Sequence, residues 1–388
     1  MKESFLDALK GQSGYLPYQY IKKACQNGII TSEDKVTPAQ LQPVSLDLRL
    51  GPKAYRILSS FLPENETVEQ KLKDLKLYEV DLRSNNKDSG FLERGGIYLI
   101  PLKEELNFPK NLYGYTNPKS STGRLDMFTR VIVDKGHRFD EIPRGYKGKM
   151  YLEVITRSFP VKVKENLCLN QLRIAQGQPT TMGRQSLEPD YRKYPILFDR
   201  NGFAVPFKDI KVQGGLYVGV DLMGNGDDDI VAYKAKTNSS FIDLSKKNFY
   251  DPQDFWEPVK LPSKRKKRIV LEPESFYIMM SKEKICIWPH VLAEMVAYEP
   301  NSGELRTHYA GFFDPGFGWN GTEESMNQGA HAVMEVRPHD VPFMIEHGQT
   351  FCRLKFEKMI DQPTKAYGQQ IASNYQSQEL KLSKYFKS

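Results

Sequence analysis

Nowhere does the sequence run to the roughly 18 consecutive apolar residues a membrane-spanning helix needs, so no helical anchor and no membrane partner is expected. Its four cysteines (Cys25, Cys168, Cys286 and Cys352) form no CxxC pair. That spacing argues against a disulfide framework or a cysteine metal knuckle and predicts buried thiols in a reducing, cytoplasmic compartment. The first residues, MKESFLDALKGQSG, lack the apolar core and small-residue cleavage site of a signal peptide. No basic face interleaved with aromatics stands out, so nucleic acid is not an expected partner. The basic run SKRKKR (263–268) follows Pro262 and precedes the strand-like IVLEP, which makes it a solvated loop. GNGDDD (224–229) opens like a calcium loop but has no glutamate at the twelfth position, so it reads as a turn. Long helical periodicity is nearly absent.

What is present is β-structure. At 388 residues with 39% hydrophobic content, the chain can build two folded cores. The net charge of +7 is mild and suits a small polyanion. One short helix is expected from Pro17 to Asn27, stopped by Gly28. After it, SLDLRLG (45–51) alternates with Leu46, Leu48 and Leu50 on one face and Asp47 and Arg49 on the other. AYRIL (54–58), YEVDL (78–82), IYLIPL (97–102) and MYLEVI (150–155) follow, separated by turn residues. An all-β barrel or sandwich is the expected class.

The pattern then recurs. VGVDLMG (218–224) echoes VSLDLRLG, SFIDL (240–244) echoes YEVDL, and SFYIMM (275–280) echoes GIYLIPL. Beyond these, a constant spacing of 182 positions pairs Pro118 with Pro300, Ser120 with Ser302, Arg124 with Arg306, Glu153 with Glu335, Pro160 with Pro342 and Leu172 with Leu354. We read two tandem copies of one β-domain: residues 1–178, a polar linker at 179–213, and 214–388.

Two segments carry candidate chemistry. RTHYAGFFDPGFG (306–318) leads through a Pro- and Gly-set turn and a polar loop to the strand AHAVMEV (330–336). There Glu335 shares a side with Val333 and is flanked by Met334 and Val336. Such a carboxylate is either solvated at a barrel rim or buried with a raised pKa. NPKSSTGR (117–124) can turn backbone N–H groups, hydroxyls and a guanidinium toward phosphate oxygens, as can many ordinary loops.

Together, LQPVSLDLRLG (41–51), NPKSSTGR, AGFFDPGFG (310–318), AVMEV (332–336) and the tail AYGQQIASNYQSQ (366–378) resemble the dCTP deaminase family of the dUTPase-like β-barrel superfamily, in its two-barrel form. The resemblance runs from about Gly14 to the C-terminus. It implies two dUTPase-like distorted barrels and hydrolytic deamination of dCTP to dUTP on the route to thymidine nucleotides. The alternatives are dUTP pyrophosphatase activity, a bifunctional enzyme yielding dUMP, or a non-catalytic nucleotide sensor. The implied site has Glu335 as catalytic acid/base. Ser120, Ser121, Gly123, Arg124, Ala310, Asp314 and Phe317 would hold the nucleotide, with Tyr367 and Gln378 closing over it. Copy one keeps the phosphate loop, but its counterpart of AGFFDPGFG has become TRVIVDKGH. Copy two keeps the base half, but its phosphate loop has become NSGELR. A composite site is therefore expected, with Glu153, Ser302 and Arg306 left as a relic or second site. The zinc route is not expected, because H-x-E followed by P-C-x-x-C is missing. Mg²⁺ is expected only with the substrate triphosphate. A homo-oligomer, trimeric or pseudo-trimeric, and dTTP as an inhibitor complete the expectations.

Overall fold

The computed structural model describes residues 5, 7, 9–83, 89–178, 181–224, 229–262, 265–297, 305–308 (backbone only), 311–319, 329–368 and 379–387. Ala310, Ser302, Gln378 and the GNGDDD turn lie wholly or mainly outside these residues, as does the Arg306 side chain.

Two copies of one β-architecture follow each other. The first has a sheet ordered Lys76–Asp81, Lys53–Ile57, Ile97–Asn107, Lys147–Thr156, Met127–Val133. The second repeats that order with Trp256–Lys260, Ile230–Ala235, Tyr277–Ile285, Ala330–Pro338, Leu305–His308. A companion sheet centres on Cys168–Gln176 in the first copy and on Thr350–Lys358 in the second. The strands are rich in branched and aromatic residues, which suit a pleated, buried surface. The all-β expectation holds. The expected N-terminal helix is present as Tyr18–Gln26, with Ile21 and Ala24 buried.

Ladder registers identify true counterparts better than sequence spacing does. Glu153 stands opposite Leu99 and Arg130; Glu335 stands opposite Ile278 and His308. The two glutamates share one rung. Other matches need correction. Leu46 faces Leu172 as Leu216 faces Leu354, so the counterpart of Asp47 is Tyr217, not the Asp221 of the VGVDLMG echo. Arg306 lies opposite Arg337, the rung where the first copy puts Phe128 opposite Ile155. It is therefore not the counterpart of Arg124. Glu141–Ile142 pairs with Tyr115 and Gly114 as Phe312–Phe313 pairs with Glu294 and Ala293. The first copy's version of FFDPGF is thus EIPRGY (141–146), and TRVIVDKGH belongs mostly to a strand. SFIDL also departs from its echo. Ile242–Asp243 crosses to pair with Val161–Lys162 of the first copy, and Trp256–Lys260 takes the sheet position matching YEVDL.

The 179–213 stretch, expected as a polar linker, is partly folded against the second copy. It holds a helix, Arg184–Lys193, whose Leu187 and Tyr191 join Met182, Ile196 and Phe207 in the second core. Asp47 and Arg49, expected on a polar face, are buried in ion pairs with Lys119 and Glu104. Of the four free cysteines, Cys286 and Cys352 are buried while Cys25 and Cys168 are half-buried.

The first core does not stop at the first copy. Ala235, Ile242, Phe255, Trp256, Ile278 and Val333 of the second copy belong to it, as do Leu382, Tyr385 and Phe386 at the C-terminal end. Burying each such side chain is worth roughly 1.5–3 kcal/mol, so the copies are joined by a continuous core. Val333 lies in this shared core, whereas its strand neighbours Met334 and Val336 lie in the second. Alternation then turns Glu335 toward the first copy.

Candidate active site

A narrow cleft opens between the copies. Pro118, Lys119, Ser120, Gly123 and Arg124 line one wall; Met295, Gly311, Phe312, Phe313, Phe317, Val333, Glu335 and Tyr367 line the other. Of the sequence-selected residues, Ser120, Gly123, Arg124, Phe317, Glu335 and Tyr367 meet there. Ser121, Asp314 and Glu153 are not among the lining residues.

The first wall is built on a single helical turn, Ser120–Gly123, that follows the strand Leu112–Pro118. Thr122 Oγ1 donates to Leu169 O at 3.0 Å, and the Arg124 N–H donates to Ser120 O at 3.1 Å. The C-terminal segment clamps this turn from outside. Ser383 Oγ donates to Ser121 O at 2.7 Å, and Arg124 Nη1 donates to Lys381 O at 2.9 Å. Ser121 is therefore a structural anchor whose carbonyl holds the tail.

Lys119 is fixed by an ion pair with Asp47 at 2.5 Å. Burial works to lower its pKa, but the Asp47 carboxylate outweighs that and leaves it raised. Lys384, from the C-terminal segment, is pushed down to about 8 by burial and by Lys119 and Lys247. Neither lysine was singled out from the sequence. Lys119 lies inside the NPKSSTGR motif, whereas Lys384 carries no local signal.

The second wall is aromatic. Phe313 and Phe317 lie 4.7 Å apart, and Phe317 and Tyr367 6.2 Å apart, between ring centroids. Gly316, at φ +99°, lets the tail approach: a Cβ there would sit 3.0 Å from Tyr367 N and O. The Tyr367 N–H donates to Pro315 O at 2.9 Å. Asp314 lies behind the wall, near the Asp47–Lys119 pair of the first copy. Burial raises its pKa to about 7, partly offset by Lys119.

Glu335 is 4% exposed, and burial raises its pKa to about 8 against the opposing pull of Arg124. A carboxyl so poised can give or take a proton near neutrality. Glu153 is placed differently. It is fully buried, and Arg130 donates to Glu153 Oε1 from Nε at 3.0 Å and Nη2 at 2.5 Å. Arg130 is itself stacked on Phe139, 3.6 Å from the ring centroid.

Comparison with known proteins identifies the family of the chain. Residues 12–178 match the family described as 2'-deoxycytidine 5'-triphosphate deaminase (DCD) N-terminal domain, and residues 197–386 match its C-terminal domain. A crystal structure of 2'-deoxycytidine 5'-triphosphate deaminase from Agrobacterium tumefaciens superposes with a TM-score of 0.82 at 38% identity, covering 90% of this chain and 99% of that one. The chain belongs to the dCTP deaminase family. It is accordingly an enzyme of hydrolytic C–N deamination. Shorter dCTP deaminases align with part of it. That of Actinobacillus succinogenes is 25% identical over 160 residues, 39% of this chain and 78% of that protein. That of Marinomonas sp. is 29% identical over 140 residues, 35% of this chain and 69% of that protein.

Proposed function

We propose that this chain converts dCTP and water to dUTP and ammonia in the inter-repeat cleft, with Glu335 as the acid/base. The observation that carries the reading is a buried carboxyl of pKa about 8 facing a wall of Lys119, Ser120, Gly123 and Arg124. The cationic wall suits a triphosphate. The Phe313–Phe317 wall with Met295 suits the base and deoxyribose. Water adds to C4 of cytosine as Glu335 takes its proton and passes it to N3. Glu335 then carries the hydroxyl proton to the amino group, which leaves as ammonia.

The metal-free route is supported by the missing zinc-deaminase signature. Mg²⁺ enters this reading with the triphosphate. Production of dUTP for thymidine nucleotides, a cytoplasmic location, inhibition by dTTP and a homo-oligomeric state belong to the same reading. Glu153 is read as a relic, because its buried carboxylate is already paired with Arg130.

The test is product analysis with dCTP and Mg²⁺, separating dCTP, dUTP and dUMP, on wild type and Glu335→Gln. Wild type should give dUTP and ammonia, and the variant neither. Formation of dUMP would mean an additional pyrophosphatase step. Unchanged dCTP from the wild type would overturn the reading in favour of a sensor.

A further inference from the structure

Glu335 and Arg337 project from the same face of Ala330–Pro338, toward the first repeat. Facing them, the turn after Ser120–Gly123 presents Arg124 and Asp126. The charges are complementary: negative then positive on the strand, positive then negative on the turn. Arg124 attracts the Glu335 carboxylate. Arg337 Nη2 donates to Asp126 Oδ2 and, at 3.3 Å, to Ser158 Oγ, which donates to the same carboxylate oxygen at 2.7 Å. Both members are buried, with 6% and 0% of their side chains exposed.

The turn is rigid. Asp126 sits at φ +55°, a conformation aspartate tolerates better than most residues. Its N–H donates to Gly123 O at 2.9 Å, and its C=O accepts from the Arg157 N–H at 3.1 Å. On the outer side Glu274 faces Arg337, Arg157 and His339 at 3.6–3.7 Å.

The fold does not demand this pair. The first repeat fills the rung of Arg337 with Ile155, opposite Phe128. Desolvating two charges is costly, and well-packed apolar residues often serve stability as well. Stability alone therefore does not account for the pair. Function does, if the two walls must stay aligned while Glu335 changes charge. The attraction between Glu335 and Arg124 disappears whenever Glu335 is protonated, and a bound triphosphate competes for Arg124.

We propose that Asp126 and Arg337 are positioning residues that lock the phosphate wall of one repeat to the acid/base strand of the other in every protonation state of Glu335. The inference rests on the reading of this cleft as the deaminating site. Asp126 also holds the Glu335 pKa up by repulsion, alongside burial and against Arg124. The pair thus sets both place and poise.

The experiment compares wild type, Asp126→Asn, Arg337→Met, Arg337→Lys and the Asp126→Asn/Arg337→Met double variant. It reads ammonia release from dCTP across pH, together with Tm. Each of Asp126→Asn and Arg337→Met strands a buried partner and should lower both Tm and kcat. The double variant should regain most of the Tm, yet stay about tenfold or more below wild type in kcat because the acid/base is misplaced. Its KM should move much less, and its pH midpoint should fall. Arg337→Lys, which keeps a donor for Asp126, should recover kcat above Arg337→Met. A double variant with wild-type kcat and midpoint would reduce the pair to a structural element. Should the double variant fail to fold, equal kcat in the Lys and Met variants would do the same. Wild type that releases no ammonia would instead sink the functional reading on which the inference stands.

Discussion

Glu153 and Glu335 stand on the same rung of two copies of one sheet, but Arg130 closes over the first while the second opens onto a cleft. Identical local sequence logic, a glutamate between apolar neighbours on a central strand, therefore has two outcomes. What separates them is the partner each strand face meets. The face of Glu335 is turned to another repeat's Lys119, Ser120 and Arg124, and that of Glu153 to its own repeat's Arg130 and Phe139.

Glu335→Gln should abolish turnover while preserving dCTP binding by calorimetry. In wild type, kcat/KM should rise as pH passes through about 8, because the free enzyme must supply a carboxylate to take the proton from water. The same group affects stability. Its folded pKa lies above its unfolded value, so its contribution is complete below the unfolded value and is lost as pH rises through about 8. Glutamine cannot ionise. The variant should match wild type in acid and exceed it in urea resistance above pH 8, by on the order of a few kcal/mol. Equal pH dependence in the two proteins would contradict a buried, neutral Glu335.

Glu153→Gln should do the reverse. It removes the charge partner of Arg130 from a fully buried position, so stability should fall by about 1–3 kcal/mol, while kcat stays within roughly twofold because no lining residue moves. Urea titration and steady-state kinetics decide it. A large loss of kcat would revive Glu153 as part of a second working site.

Much of this was legible in the sequence. Period-two alternation located the strand of Glu335, and the 182-residue spacing matched it correctly to Glu153 and Leu354 to Leu172. The expectation of a composite site drew on motifs divided between the copies, and Ser120, Gly123 and Arg124 of one do line a cleft with Glu335 of the other. The spacing failed upstream because the loops of the two copies differ in length. Short shared words such as V-x-V/L-D-L then align out of register, and only the ladder shows that Phe128, not Arg124, matches Arg306. Asp126 and Arg337 were invisible for another reason. They lie 211 positions apart, and neither stands out from its neighbours until the two repeats are docked. The helix Arg184–Lys193 was missed because only Leu187 and Tyr191 of its residues are buried, one face of a strongly polar segment.

Gly316→Ala should weaken substrate capture with little effect on the chemical step. Alanine at φ +99° is strained, and its methyl would press on Tyr367 N and O. The aromatic wall of Phe313, Phe317 and Tyr367 should loosen, raising KM by about tenfold, equivalent to roughly 1.4 kcal/mol of binding. Unchanged KM would mean that Tyr367 does not help to hold the nucleotide.

The tail provides the last test, because it reaches the Ser120–Gly123 turn, the phosphate turn of the proposed site, from the far end of the chain. Ser383 Oγ bonds Ser121 O, and Lys381 O receives Arg124 Nη1, while Leu382, Tyr385 and Phe386 anchor the segment in the first core. Ser383→Ala deletes one side-chain bond, worth about 1 kcal/mol, and leaves those apolar anchors in place. If that bond keeps the turn in its binding shape, KM for dCTP should rise by roughly fivefold with kcat preserved. Because the lost contact is to the phosphate turn and not the base wall, affinity for inorganic triphosphate, measured by calorimetry, should fall in proportion. A fall in dCTP affinity without a fall for triphosphate would place the tail's effect on the base side of the cleft instead.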